Sequence, residues 1–424
     1  MSNDNYMRIE SQSLIKERIK TFCFGSVDLF GNSSQETLTE YIDIEGCTIP
    51  KFTNEFWTSR QRQADSIHEI SYRACFKPQL PRFFIELLTK LKDVVYDPFS
   101  GRGTTGIEAG LLNRNVVAND INPLSQILSK PRFFIPDIES LKDRLVSIKI
   151  IPKVKTEMDL SMFYHPDTEA EIVSMREYLK EKQMDGTEDE IDNWIRMVAT
   201  NRLTGHSSGF FSVYTLPPNQ AVSQESQRKI NQKRNQRPDY RGTRQIILNK
   251  SMSLLQDMTP KKANLLREIG SNALFLTNDA RFTPEIASNS VNLIVTSPPF
   301  LDVVQYDHDN WLRGWFNDID STDVAKKITI TKNIEDWCGI MSEAFEEFYR
   351  IIIPGGHIAF EVGEVRNGTL KLEELIVPLG LKVGFECECI MINQQKFTKT
   401  ANIWGVSNNE KGTNTNRIVI FKKN

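Results

Sequence analysis

Seven short apolar runs recur along the chain, and segments with helical hydrophobic spacing separate most of them. The first four runs are almost wholly apolar, as strands of a parallel sheet covered on both faces are. Alternation of such strands with helices, here 105–112 and 333–352, predicts an α/β fold with a seven-stranded, mostly parallel sheet. The predicted strands are 94–97, 115–120, 274–279, 291–296, 357–363, 381–390 and 416–422.

The last two strands have no convincing helix between them. Residues 391–415 are polar and rich in Asn, which predicts a long loop between antiparallel neighbours.

The alternation stops between residues 131 and 270, where the pattern becomes largely helical, for example over 168–182 and 188–201. We therefore predict one α/β domain formed by residues 66–130 and 271–424, with a subdomain inserted over 131–270. Residues 1–65 are predicted to be an N-terminal extension, in which 27–30 and 41–45 are strand candidates.

Composition narrows the class of protein. No run of 18 apolar residues is present, and the N-terminus lacks the basic and apolar zones of a signal peptide. We expect a cytoplasmic location and no membrane partner. The six cysteines are scattered and form no C-x-x-C pair, so no metal site is expected.

Charge is unevenly distributed. The whole chain has a net charge of -3, but residues 196–250 hold ten Lys and Arg against two acids. A basic island of +8 on an acidic body is typical of a surface that binds a polyanion.

A glycine turn follows the first predicted strand, in the string Asp97-Pro-Phe-Ser-Gly-Arg-Gly-Thr-Thr105. Open α/β sheets bind ligands at the carboxyl ends of their strands, and glycines let the backbone approach a ligand closely. Two glycines alone also suit any strand-to-helix turn. Asp120 ends the next strand, where a carboxylate can accept hydrogen bonds from ribose hydroxyls.

A second turn, Ser297-Pro298-Pro299-Phe300, follows the fourth predicted strand. The two prolines fix two φ angles and leave backbone carbonyls free to accept hydrogen bonds. The Ser297 hydroxyl and the Pro298 carbonyl could accept both hydrogens of an exocyclic amine and so free its lone pair for attack. Phe300 could stack on a flipped base.

Together these two peptides resemble the DNA amino-methyltransferases, which transfer a methyl group from S-adenosylmethionine to an exocyclic nitrogen of a base. The resemblance covers roughly residues 65–130 and 270–365 and implies a Rossmann-like methyltransferase fold. It places Asp97 near the methionine end of the cofactor and Asp120 at the ribose. Asp279 follows the third predicted strand and can accept from the adenine amine, with an Asp that only caps a turn as the plain alternative. The predicted cofactor-binding residues are Phe76, Lys77, Asp97, Phe99, Gly101, Gly103, Thr104, Asp120 and Asp279.

The target base is predicted from the first residue of the second turn. In the family, Ser at this position goes mostly with cytosine N4, and Asp or Asn goes mostly with adenine N6. Ser297 therefore favours N4-methylcytosine, with adenine N6 as the alternative. Methylation of cytosine carbon 5 needs a thiolate, usually in a Pro-Cys pair, which this chain lacks. Tyr306 is predicted to line the base pocket.

The basic island is predicted to contact duplex DNA, because Arg and Lys suit phosphates and Arg, Asn and Gln also bind base edges. The insertion 131–270 is therefore predicted to be a target-recognition subdomain, and residues 66–130 and 271–424 the catalytic methyltransferase domain. A solvated basic loop is the plain alternative. A DNA-binding protein with an inactive methyltransferase fold is a third reading, which the intact motifs disfavour. A restriction endonuclease acting separately is a further expected partner. The predicted DNA-binding residues are Arg202, Arg228, Lys229, Lys233, Arg234, Arg237, Arg241 and Arg244.

Overall fold

A nine-stranded sheet forms the centre of the protein, in a computed structural model that describes residues 15–22, 36–57, 64–72, 75–216, 221–299, 306–327, 333–362, 370–394 and 415–424. The strands are β1 (Leu38–Ile44), β2 (Cys47–Asn54), β3 (Val94–Asp97), β4 (Asn115–Asn119), β5 (Leu274–Leu276), β6 (Val291–Thr296), β7 (Ile352–Val362), β8 (Phe385–Gln394) and β9 (Thr415–Lys423).

Helices cover the sheet and fill the predicted insertion. They are α1 (Gln79–Leu88), α2 (Thr104–Leu111), α3 (Leu124–Ser129), α4 (Ile138–Ser147), α5 (Pro166–Met184), α6 (Glu190–Arg202), α7 (Gln224–Arg234), α8 (Thr243–Leu254), α9 (Pro260–Asn272), α10 (Tyr306–Phe316), α11 (Ser321–Lys327), α12 (Ile334–Ile351) and α13 (Leu372–Lys382). Two short 3-10 helices span Ser66–His68 and Lys130–Phe133.

The sheet order is β1-β2-β8-β9-β7-β6-β3-β4-β5. Strands β5, β4, β3, β6 and β7 run parallel, and β9 lies antiparallel between β7 and β8. The predicted α/β fold with a mostly parallel sheet and a final antiparallel strand is confirmed.

The predicted number of strands is wrong, because the N-terminal part contributes two more. Strands β1 and β2 form a hairpin that extends the sheet beyond β8. The turn is Glu45-Gly46, and both residues have positive φ, as a two-residue hairpin turn requires. Strand β1 is an edge strand with exposed polar positions, so it lacks the apolar run that marked the others. The strand candidate 41–45 overlaps β1, and 27–30 lies outside the described residues.

Side chains alternate between two hydrophobic cores on the two faces of the sheet. On β6, Leu293 and Val295 face one core, whereas Ile294 faces the other. Helices of the insertion share the first core, where Trp194 of α6 is fully buried and donates from Nε1 to Ser251 Oγ of α8 at 2.9 Å. The insertion therefore packs directly against the sheet.

Helices α4 to α9 all lie between β4 and β5 in the chain, within the predicted insertion. The last of them, α9, packs against α2 and β4 and so covers the sheet itself. None of the helices in the described ranges combines the length and the hydropathy that crossing a bilayer demands. The described residues also contain no group of three His, Cys, Asp or Glu side chains arranged to hold a metal.

Candidate active site

The two predicted functional turns lie side by side at the carboxyl edge of the sheet. They do so because β3 and β6 are parallel neighbours, with Val95 paired to Leu293 and Tyr96 to Ile294. The Thr296 hydroxyl donates to Asp97 Oδ1 at 2.7 Å. The Thr105 hydroxyl donates to the Val295 carbonyl at 3.1 Å. These two hydrogen bonds connect the glycine turn to the strand that carries Ser297.

The glycine turn needs both of its glycines. Gly101 and Gly103 have φ of 52° and 79°, which strain other residues. A Cβ on Gly103 would lie 2.4 Å from the Ser129 Cβ, so α3 also excludes a side chain there. The backbone N–H of Gly101 donates to Asp120 Oδ2 at 2.8 Å, which ties the turn to the end of β4.

A cavity opens between the two turns. The cavity wall includes Phe99, Gly101, Asp120, Asp279, Ser297, Pro298 and Pro299, all predicted as site residues. The structure thus brings the predicted catalytic turn and part of the predicted cofactor set to one place.

Five other predicted cofactor residues lie outside this cavity wall. Asp97 is buried behind it, and Gly103 and Thr104 belong to the turn that supports it. Phe76 packs against the first core, and Lys77 lines a second cavity. Of the base-pocket residues, Phe300 lies outside the described residues, and Tyr306 begins α10 with its side chain outside the described part.

Several wall residues were missed by the sequence analysis. Asn119 was missed as well. It connects the end of β4 to the segment after β5, because its Oδ1 accepts from the Asn278 N–H at 2.9 Å and its Nδ2 donates to the Asn278 carbonyl at 3.0 Å. These bonds hold the backbone at Asn278, so the strand that was predicted over 274–279 ends at Leu276. The missed wall residues include Tyr72, Ile121, Asn122, Ala280, Trp337 and Met341.

Two carboxyl groups of this region hold protons more tightly than usual. Burial raises the pKa of Asp97 to about 7, against the opposing effect of hydrogen bonds from Thr296 and Thr105. Burial likewise raises the pKa of Asp120 to about 6, although the N–H groups of Asn122 and Gly101 oppose the rise. The carboxyl group of Asp279 is held differently, because Arg281 donates from Nε to its Oδ1 at 3.0 Å and from Nη2 to its Oδ2 at 2.7 Å.

The Ser297-Pro298-Pro299 turn is held by Trp337 of α12, whose Nε1 donates to the Pro299 carbonyl at 3.1 Å. The Ser297 hydroxyl is shielded from solvent and makes no hydrogen bond of standard geometry within the described part of the chain. It nevertheless lies close enough to the Glu361 carboxyl to lower the pKa of that group.

Glu361 is the most informative residue that the sequence analysis missed. It lies on β7, beside β6, and is only 6 % exposed. Asn416 Nδ2 donates to its Oε1 at 2.7 Å. Burial raises the pKa of Glu361, and the hydrogen bond from Asn416 and the nearby Ser297 hydroxyl offset part of the rise. An acid within the apolar run of β7 was the signal that could have identified it.

The predicted DNA-binding residues fall into two groups. Three of them hold the insertion together. Arg202 stacks on Phe210 at 4.0 Å, Arg241 donates to the Ser207 carbonyl at 3.0 Å, and Arg244 donates to the Ile148 carbonyl.

The other five belong to α7 and the segment after it. Lys233 and Arg237 are exposed. Arg228 pairs with Asp159 at 2.7 Å and Lys229 with Glu225 at 2.6 Å, whereas Arg234 lies 3.7 Å over the Tyr214 ring. Exposed ion pairs are weak, so these cations remain available to another anion.

Comparison with known proteins finds a family match over the N-terminal part of the chain. Residues 3–128 match the family model of the N6/N4 DNA methylases, described as DNA methylase. Over this part of its length, the chain is similar to the DNA amino-methyltransferases. The matched region starts within the predicted N-terminal extension and ends after the glycine turn and β4.

Two relatives are Type II methyltransferases. M.MvaI of Kocuria varians is 44 % identical over 64 residues, which are 14 % of each chain. M.BsoBI of Geobacillus stearothermophilus is 22 % identical over 289 residues, or 60 % of this chain and 53 % of that protein. The chain therefore spans about half of the second relative's length and a small part of the first's.

Solved structures give weaker likenesses. A putative DNA modification methylase from Thermus thermophilus is 23 % identical over 34 % of this chain and 50 % of its own, with a TM-score of 0.21. The rRNA methyltransferase aviRa from Streptomyces viridochromogenes is 9 % identical over 87 % of this chain and 95 % of its own, with a TM-score of 0.36. Superpositions at these scores support no conclusion about function.

The raised pKa of Asp97 predicts how folding stability depends on pH. The folded pKa is about 7, whereas an unfolded Asp titrates near pH ~4. The protonated carboxyl favours the folded state, so its contribution is fully present below pH ~4 and is lost as the pH rises through ~7. Asp97→Asn keeps an oxygen acceptor for Thr296 and cannot ionise. We expect its melting temperature to fall less than that of the wild type between pH ~5 and pH ~8.

Thermal unfolding of both proteins across that range tests this expectation. Asp120 contributes a dependence of the same sign, so the variant should retain part of the slope. Identical slopes for wild type and variant would show that Asp97 is ionised throughout.

Proposed function

We propose that this protein transfers a methyl group from S-adenosylmethionine to the exocyclic N4 of cytosine in duplex DNA. The observation that carries the proposal is a single cavity whose wall contains both the Gly101–Asp120 side and the Ser297-Pro298-Pro299 turn. A cofactor held on the first side would lie beside an amine held on the second.

The wall chemistry suits S-adenosylmethionine. Asp120 offers carboxylate oxygens to the ribose hydroxyls, and Asp279 offers them to the adenine amine. Tyr72 and Trp337 supply aromatic surface, which attracts a cation such as a sulfonium. When bound, this cofactor supplies an activated methyl group for direct displacement.

The catalytic turn positions the amine. The Ser297 hydroxyl oxygen and the Pro298 carbonyl accept the two N–H hydrogens, which frees the nitrogen lone pair for attack. Trp337 fixes the turn through the Pro299 carbonyl. Because the base is held against the methyl donor, most of the rate acceleration comes from positioning.

The amine must lose a proton when the new bond forms. Glu361 lies beside the Ser297 hydroxyl, and its raised pKa makes it a better proton acceptor than an exposed carboxylate. We assign it the role of receiving that proton by way of Ser297 Oγ. The base must leave the helix to reach a cavity of this kind, so base flipping is part of the proposal.

The choice of cytosine N4 rests on Ser297 as the first residue of the turn, and a role in restriction-modification rests on the Type II relatives. The test is to incubate the protein with methyl-labelled S-adenosylmethionine and unmethylated genomic DNA, and then to identify the labelled nucleoside by mass spectrometry. N4-methylcytosine is expected. N6-methyladenine would refute the base assignment, and absence of label from all nucleic acids would refute the activity.

A further inference from the structure

A second cavity adjoins the candidate active site at Tyr72. It has a volume of about 640 Å³, and Tyr72 lines both cavities. Its wall combines Lys77 and Arg102 from the catalytic part with Arg202 and Lys250 from the insertion. The cavity therefore lies where the predicted recognition subdomain meets the methyltransferase fold.

The two arginines of this wall have no carboxylate partner among the described residues. Arg102 Nη1 donates to the Ile70 carbonyl at 2.8 Å, and its Nε donates to Thr104 Oγ1 at 3.1 Å. Arg202 Nη2 donates to Asn201 Oδ1 at 2.6 Å. These bonds orient both guanidinium groups without neutralising them, and Glu69 offsets the charge of Arg202 only in part.

Acidic groups of the wall do not balance these cations. Asp65 is already paired with Lys262 at 2.6 Å. Glu69 reaches Lys250 at 3.5 Å, and its own side chain is 61 % exposed. Four cations therefore face one weakly engaged carboxylate, an arrangement that favours an anion in the cavity.

Three of these cations have lowered pKa values, and a bound anion would stabilise their charged forms. Burial lowers the pKa of Lys250 to about 8, and the neighbouring Arg202 contributes to that lowering. Burial lowers the pKa of Arg202 to about 10, with a contribution from Arg313. The pKa of Lys77 is lowered by burial and by Arg102.

We propose that this cavity, which we call the basic cleft (Lys77, Arg102, Arg202 and Lys250), binds a backbone phosphate of the DNA strand whose base enters the active site. The inference rests on the proposed function. A phosphate suits oriented guanidinium groups, which bind its oxygens bidentately. A strand that delivers a base past Tyr72 must also place its backbone near that residue, and the cleft offers positive charge from both parts of the protein there.

The cleft explains why some basic residues of the insertion are exposed on α7 whereas Arg202 is buried. The exposed cations of α7 can contact DNA at the surface, whereas Arg202 is largely buried and cannot serve as a surface contact. In the cleft, Arg202 acts together with Lys250. The sequence analysis counted Lys250 in the basic island but did not select it as a DNA-binding residue.

Lys250→Gln is the variant for the test, because it removes one charge and keeps a long polar side chain. Binding of a fluorescent duplex is measured by anisotropy at several salt concentrations. Binding of S-adenosylmethionine is measured by calorimetry, and methylation is measured with the labelled cofactor. Lys371→Gln is the matched control, since Lys371 pairs with Glu374 at the start of α13, far from this cleft in the fold.

We expect Lys250→Gln to weaken DNA binding about 5- to 10-fold and to reduce the slope of log affinity against log salt by about 1, as for the loss of one phosphate contact. Its affinity for S-adenosylmethionine should stay within about 2-fold of the wild type. Lys250→Arg should restore DNA binding, and Lys371→Gln should leave both affinities unchanged. Melting temperatures show whether each variant is folded.

Two outcomes would overturn the inference while leaving the proposed function intact. In the first, Lys250→Gln methylates and binds DNA as the wild type does, with the same salt slope. In the second, it loses affinity for S-adenosylmethionine alone, which would assign the cleft to the cofactor carboxylate. A wild-type protein that neither binds nor methylates DNA would refute both proposals.

Discussion

Replacing Ser297 with alanine should reduce methyl transfer by about 100-fold or more, which is typical for loss of a group that handles a proton in the transition state. The variant loses the hydroxyl that accepts an amine hydrogen and connects the amine to Glu361. Cofactor binding should be nearly unchanged, because the Gly101–Asp120 side of the cavity is untouched. Single-turnover methylation and calorimetry with S-adenosylmethionine measure the two effects separately.

Ser290→Ala is the control for this substitution. Ser290 is half-buried just before β6, and its hydroxyl donates to the Ala287 carbonyl at 2.6 Å. The Ser290→Ala enzyme should methylate DNA at the wild-type rate. A Ser297→Ala enzyme that is equally active would remove Ser297 from the mechanism, and one that fails to bind the cofactor would indicate a structural role instead.

Replacing Gly103 with alanine should destabilise the fold by about 2–5 kcal/mol. About 1–2 kcal/mol comes from placing a Cβ at a left-handed φ, and about 1–3 kcal/mol comes from overpacking. The overpacking arises because the new Cβ would meet Ser129 Cβ at 2.4 Å. Urea unfolding measures the free energy, and loss of cofactor binding should accompany it because the turn carries Gly101.

Gly186→Ala separates the two costs. Gly186 has a φ of +66°, and no atom lies within 4 Å of the place that a Cβ would take, so only the backbone cost applies. Adding Ser129→Gly to Gly103→Ala should recover part of the lost stability. If Gly103→Ala were no worse than Gly186→Ala, contact with α3 would not be the reason for the glycine.

The sheet was largely predictable because its strands are apolar runs between helices. Strands β3 and β6 were predicted to the residue, since both are buried on two faces and end at functional turns. Strand β1 was predicted only in part, as the candidate 41–45, and β2 was not predicted, because an edge hairpin with polar positions differs little from a loop in one sequence. Strand β5 was predicted too long because side-chain bonds from Asn119 capture the backbone at Asn278.

The site was predictable where a motif is continuous in sequence. Gly101, Asp120 and Ser297 were selected because each closely follows or ends a predicted strand. Trp337 and Glu361 come from α12 and β7, and only the folded sheet brings them to the Ser297 turn. Their roles depend on contacts between distant segments, which residue patterns do not encode.

Basic residues were the least predictable. Counting charge located a basic island, but it did not separate Arg241, which binds the Ser207 and Phe210 carbonyls, from exposed Lys233. Arg102 contributes to the basic cleft from the glycine turn, well outside the island. Burial and hydrogen-bond partners decide which cations are free to bind DNA, and both depend on the tertiary structure.

In the proposed mechanism, the glycine turn and the Ser297 turn form one site for a cofactor and an amine. A crystal structure with S-adenosylhomocysteine tests it most directly. We expect the ribose hydroxyls within hydrogen-bond distance of Asp120, the adenine between Phe99 and Asp279, and the sulfur facing Ser297 and Pro298. A cofactor bound elsewhere, for example wholly within the basic cleft, or one whose sulfur points away from Ser297, would contradict the account.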